Sequence, residues 1–192
     1  MRAIRTAAAL FILSALFLSG CGMIIGQMMV AGTGVKEFRA VNGDLSSIKR
    51  GSNLLILAPF ATKNAAYEPA RGDFAARLST ELYSGGVFNT AFHFEHKPEA
   101  VAKRAAELAA LSPEKLKETL GLDFAPDYLL WGTIEKSDTV VAPMHGVILE
   151  AAFTLEFTDL RTKAATGVYA EVKELYGQAI ASVAAALSKN LK

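Results

Sequence analysis

Leu54-Leu55-Ile56-Leu57-Ala58, closed by Pro59, is apolar at every position. A strand with no polar side is buried on both faces, which places it in the middle of a sheet covered by helices. Proline after it withholds a ladder donor and suits a strand end. Tyr128-Leu129-Leu130-Trp131-Gly132-Thr133-Ile134 repeats the pattern and is expected to lie beside the first run. Between them, Phe74, Leu78 and Leu82 recur every fourth residue through 73–84, with Arg77 and Glu81 turned away. That spacing gives a helix apolar on one side, and Gly85-Gly86 stops it. Residues 87–94 read as a strand with Phe88, Phe92 and Phe94 at alternate positions. A second helical stripe, Val101, Ala105, Leu108 and Ala109, runs through 99–111. Ser112-Pro113 then restarts a helix, serine as its cap and proline in its first turn, and Gly121 ends it.

Further on, Val147, Leu149, Ala151, Phe153, Leu155 and Phe157 alternate with mostly polar Glu150, Thr154, Glu156 and Thr158. One buried face and one wet face describe an antiparallel strand. A turn at Arg161–Lys163 leads to Val168, Ala170 and Val172, alternating with Tyr169, Glu171 and Lys173, so the two strands form a hairpin. A last helix over 176–191 presents Ile180, Val183, Ala184, Leu187 and Leu191. The order is β-α-β-α-β-β-β-α, which asks for an α/β sandwich of two or three layers around a mixed sheet, a single domain over 53–192.

The amino end reads differently. Met1-Arg2-Ala3-Ile4-Arg5 is basic, 7–17 is uncharged and largely apolar, and small residues precede Cys21. A positive start, an apolar stretch and a small-residue cut site describe a secretory signal over 1–20. Leu18-Ser19-Gly20-Cys21 resembles the lipobox of bacterial lipoproteins, which implies lipidation of Cys21 as the first mature residue. An uncleaved anchor is the rival, since about 20 apolar residues span a bilayer. Five glycines between Gly20 and Gly34 weigh against a continuous helix there. Residues 21–52 read as the lipidated cysteine and a short tether, with a short strand near Glu37–Val41. The 32 steps from Cys21 to Asn53 give a coil reach of about 30 Å. Gly22 rather than Asp after the cysteine resembles outer-membrane sorting, so the expected location is the periplasmic face of that membrane.

Charge and cysteine usage exclude several classes. Of 20 basic residues, Arg2 and Arg5 leave with the signal, so 18 face 19 acidic residues, a net −1. A near-neutral chain without a basic run gives no footprint for nucleic acid. One cysteine supports neither a disulfide nor a zinc site. His93, Glu95 and His96 are the local cluster of metal-ligand types, but alternation puts His96 on the other face from His93 and Glu95. His145 stands alone before Gly146. Asp127, Asp138 and Asp159 are placed near strand ends, where Asp also serves turns. No nucleophile elbow, phosphate loop or dinucleotide fingerprint is present. Neither catalytic, cofactor-binding nor metal residues are assigned. Trp131 reads as a core residue, and Phe88, Phe92, Tyr169 and Tyr176 as packing, with Tyr169 a partner anchor if exposed.

Four stretches resemble a bacterial envelope family: Ala58-Pro59-Phe60, Glu81 to Phe88, Pro126 to Ile134, and Phe157-Thr158-Asp159-Leu160-Arg161-Thr162. The similar proteins are the penicillin-binding-protein activator lipoproteins, the periplasmic domain of the curli-secretion channel and the amino-terminal domain of TolB. The gaps 61–72 and 137–146 are too short for an added membrane hairpin, whose strands take about 9–11 residues each. The resemblance implies a non-catalytic lipoprotein that binds an envelope protein or self-assembles, touching membrane lipid through acylated Cys21. A small-molecule or glycan binder and a hydrolase are the alternatives. A Cys21→Ser chain is expected to stay uncleaved and unlipidated. Mass spectrometry and membrane fractionation check this, and normal processing of the variant would sink the anchor.

Overall fold

Both layers of the molecule close on the strand β2 (Asn53–Ala58). The computed structural model describes residues 27, 29–63 and 68–192; the leader 1–20 and Cys21 lie outside them. In chain order the elements are β1 (Gly34–Asn42), β2, β3 (Ala61–Thr62), α1 (Glu68–Ser84), β4 (Asn89–Phe94), α2 (Val101–Ala110), α3 (Pro113–Leu120), β5 (Tyr128–Ala142), β6 (Gly146–Asp159), β7 (Ala165–Leu175) and α4 (Ala179–Asn190). The strands form one mixed sheet in the order β1-β7-β6-β5-β2-β4, with β3 pairing β5 beside this path. β2 runs parallel to both β4 and β5, so the two apolar runs are neighbours as their composition demands.

Every side chain from Leu54 to Ala58 is fully buried. Leu54, Ile56 and Ala58 face a core shared with Phe74, Leu78 and Leu82 of α1 and Ile180, Val183 and Leu187 of α4. Leu55 and Leu57 face a second core with Val101, Ala105 and Leu108 of α2 and Leu116 of α3. The sheet is therefore three layers thick around β4, β2 and the start of β5. Beyond that, β6, β7 and β1 are backed by helices on one side. Helix ends follow local chemistry. Ser112 Oγ accepts from the Lys115 N–H at 3.2 Å, and Gly121 closes α3 at φ 62°, a left-handed cap.

Several boundaries differ from expectation. The stretch expected as tether from 34 to 52 is part of the domain. β1 pairs with β7 from Gly34↔Lys173 to Asn42↔Gly167, Leu45 and Ile48 enter the first core, and Arg50 and Ile48 bond the backbone of Lys192. The short strand expected at Glu37–Val41 lies within β1, and a bulge between Val35 and Glu37 hides its start, because Val35 and Phe38, three apart, both pack inward. α1 starts at Glu68 rather than 73, with Pro69 in the first turn, where its missing N–H costs nothing. β4 starts at Asn89, after Phe88. The expected gap 137–146 is largely strand. β5 and β6 stay paired to Ala142↔Gly146 past a bulge at Ile134/Lys136.

Gly132 of β5 is demanded by space. A Cβ there would stand 2.9 Å from Leu155 Cδ2 and 3.2 Å from the Phe60 ring. A Gly132→Ala chain is expected to lose about 1–3 kcal/mol through overpacking. Urea unfolding checks this, as a lower midpoint at unchanged slope.

Candidate interaction surface

The covered half of the sheet leaves its counterpart open. On the side of α2 and α3, the alternate residues of β5, β6, β7 and β1 have no helix above them among the described residues. Register lines them up in rows: Trp131–Glu156–Gly167–Asn42, Thr133–Thr154–Tyr169–Arg39, Lys136–Ala152–Glu171–Glu37 and Asp138–Glu150–Lys173–Gly34. These are the wet positions of β6 and β7 that alternation foretells, extended at each flank by residues it did not reach. Gly167 lets β1 come close. Its N–H donates to Asn42 Oδ1, where a Cβ would collide with the same oxygen.

The rows are ordered by side-chain bonds. Trp131 Nε1 donates to Glu156 Oε1 at 3.1 Å, so the tryptophan is half-buried at the rim of the second core and not a core residue. Thr154 Oγ1 donates to Glu135 at 3.0 Å, and Lys63 meets the other oxygen of that carboxylate at 2.5 Å. The Arg39 guanidinium lies 4.8 Å above the Tyr169 ring, a cation–π pair. Partial burial raises the Tyr169 hydroxyl above its ordinary value, and the Glu171 and Glu37 charges add to this. Glu150 bridges Lys173 at 2.7 Å and Lys136 at 3.4 Å; its hydrogen bond to Lys173 leads in holding the carboxyl below its ordinary range. The face is ordered and polar, with carboxylates in excess: Glu37, Glu135, Asp138, Glu150, Glu156 and Glu171 against Arg39, Lys63, Lys136 and Lys173.

The other singled-out residues are scattered. His93 lies on the α2 side of edge strand β4. Burial pushes its imidazole below the ordinary range and the Arg104 charge adds to this, with Glu95 opposing. Glu95 turns to Arg104 at 3.9 Å, while His96 packs edge-on against Phe94 at 5.6 Å. Among the described residues no three His, Cys, Asp or Glu side chains form a group that could hold a metal ion. Asp159 accepts from the N–H groups of Arg161 and Thr162 at 2.8 Å each, a turn duty, and Asp127 accepts from the Asn53 N–H at 3.0 Å, tying the start of β5 to that of β2. Asp138 is not at a strand end; it stands inside β5 opposite Glu150. Phe88 is buried against Phe157, but Phe92 and Phe94 are exposed because β4 is an edge strand. Shallow cavities of about 200 to 400 Å³ lie elsewhere, beside α1, α2 and α4.

No family model matches the chain, and no curated protein sequence does. Solved structures do, at low identity. PelC from Paraburkholderia phytofirmans, a dodecamer, is 17% identical, with 80% of this chain and 92% of that chain covered at a TM-score of 0.47. The lipoprotein GNA1162 from Neisseria meningitidis is 16% identical, with 72% and 96% covered and a TM-score of 0.40. Protein XCC0632 from Xanthomonas campestris is 9% identical, with 79% and 84% covered and a TM-score of 0.37. The likeness is to their fold, and no residue's role is carried across.

Glu150 sets a pH dependence with a defined sign. A carboxyl whose folded value is lowered adds stability above its ordinary value, 4.5, and loses it as pH falls through the folded value. Wild type is expected to exceed Glu150→Gln by less than about 1 kcal/mol at neutral pH, as befits exposed ion pairs. The gap should close below 4.5, read by urea unfolding at the two pH values.

Proposed function

We propose that this chain is a lipid-anchored, non-catalytic binding or assembly module of the bacterial cell envelope. In this reading an acylated Cys21 holds it on the periplasmic face of the outer membrane, and the open half-sheet meets an envelope protein or a second copy. One observation carries the reading: a sheet face without helices is nonetheless ordered by aromatic, hydroxyl and ionic contacts around Trp131, Thr154, Glu135 and the Arg39–Tyr169 pair. Tyrosine, tryptophan and arginine together are the residue types that dominate the energy of protein interfaces. The four-stretch resemblance to synthase-activator, curli-channel and TolB domains supports the same class.

The anchor tightens with β1 inside the domain. Only 13 steps join Cys21 to Gly34, at most about 45 Å even if fully extended. A partner is then met at the membrane surface and not across the wall.

A photo-crosslinking residue at Glu171 is expected to capture a discrete species in intact cells. One at Lys117, on α3, should not. Arg39→Ala with Tyr169→Ala should abolish the adduct while the far-ultraviolet circular dichroism stays unchanged. Equal capture from both positions, or persistence of the adduct in the double variant, rejects this face as the interface.

A further inference from the structure

The hairpin of β5 and β6 runs on past the rest of the sheet. Its row Asp138–Glu150–Lys173–Gly34 is the last that reaches β1. β7 follows two rows further, to Ile148↔Leu175, and beyond it the two arms pair only with each other to Ala142↔Gly146, about 7 Å more at roughly 3.3 Å per residue. From Thr139 to Leu149 the sequence holds no Asp, Glu, Lys or Arg. Val141 and Met144 are 73% and 80% exposed, and Val140 and Val147 are also exposed. Met144 has φ 63°, the left-handed region, where Gly, Asn or Asp is the usual occupant. A large apolar side chain thus stands at the tip where a small or polar residue would suit the backbone better.

The end of the molecule is the second observation. β1 begins at Gly34, paired with Lys173 towards the tip's end of the sheet, and it runs away from the tip. The chain therefore enters β1 from the tip's end of the sheet, and the segment joining it to Cys21 is short. It carries Met23, Ile24, Ile25, Met28, Met29 and Val30 and no charge between Cys21 and Val35.

We infer that the β5–β6 tip docks into the surface of the lipid bilayer that carries the chain's own anchor. This rests on the reading of Cys21 as acylated. An anchor joined at that end brings the uncharged tip, before any other part of the sheet, to the lipid. The charged row Asp138, Glu150 and Lys173, with Glu174 one row on, marks where the apolar part stops, and a tip this short matches the roughly 5–10 Å depth of interfacial segments. The contact is apolar and grows with area removed from water. It fixes the orientation of the domain, so that the open sheet face stands beside the membrane and not pressed on it.

The test uses the full-length protein isolated from membranes and reconstituted into vesicles of phosphatidylethanolamine and phosphatidylglycerol, with intact mass reporting acylation of Cys21. Val141→Cys and Met144→Cys each carry an environment-sensitive dye, and Thr162→Cys, in the exposed turn at the opposite end of β6, is the control. Dyes at 141 and 144 are expected to emit further to the blue and to be quenched several-fold more by nitroxide-bearing lipid than the dye at 162. Tip dyes no more quenched than the control, on an acylated chain that floats with the vesicles, overturn the docking and leave the anchor standing. An unmodified Cys21 on a chain that does not float overturns both. A blue shift that lipid nitroxides leave unquenched and that rises with protein density assigns the tip to a second copy and overturns lipid docking.

Discussion

The burial of β2 on both faces is the constraint from which the rest of the architecture follows. Five adjacent apolar side chains, Leu54 to Ala58, point alternately into two cores and expose nothing. Each of the leucine and isoleucine side chains among them contributes about 1.5–3 kcal/mol when removed from water. That gain exists only if both sides are roofed. One roof is α1 with α4, the other α2 with α3. Parallel partners on both flanks require crossovers, and α1 and the α2–α3 pair are those crossovers as well as the cover. The same residues thus dictate layer count, connectivity and the mixed sheet.

The second half of the sheet obeys a weaker demand. β6 and β7 are apolar on one face, so α4 and α1 suffice, and the opposite face is left to Thr154, Glu156, Tyr169 and Glu171. No described helix roofs it, and its order comes from side-chain bonds such as Trp131 to Glu156 and Thr154 to Glu135. Asymmetric cover gives the molecule its free surface. Its free end arises differently: β5 and β6 are longer than any strand flanking them, so their last pairs have only each other.

Much of this was legible beforehand. The two apolar runs, the stripes of α1, α2 and α4, the Ser112–Gly121 frame of α3 and the alternation of β6 and β7 all stand where periodicity put them. These are signals carried within a single element. The full length of β1, beyond the expected Glu37–Val41, and the outer arm of β5 escaped because a bulge in each shifts the alternation by one, and a period-two search then finds noise. Of the open face, Tyr169, Glu156 and Thr154 were readable as wet positions. Arg39, Glu135 and Lys63 were not, since their roles depend on bulged or neighbouring strands. Phe92 and Phe94 looked like core because hydrophobicity does not tell an edge strand from a central one.

The sequence by itself determined the element types, the helix caps, the central pair of strands and the resemblance of residues 18–21 to a lipobox, each being a matter of neighbours along the chain. Tertiary structure alone decided which strand lies at the edge, where 34–52 belongs, and which apolar residues remain in water. The reason is physical: burial and pairing are properties of two segments at once. Residues 34 and 173, or 39 and 169, meet only after the whole sheet has closed, so neither segment can announce the contact alone.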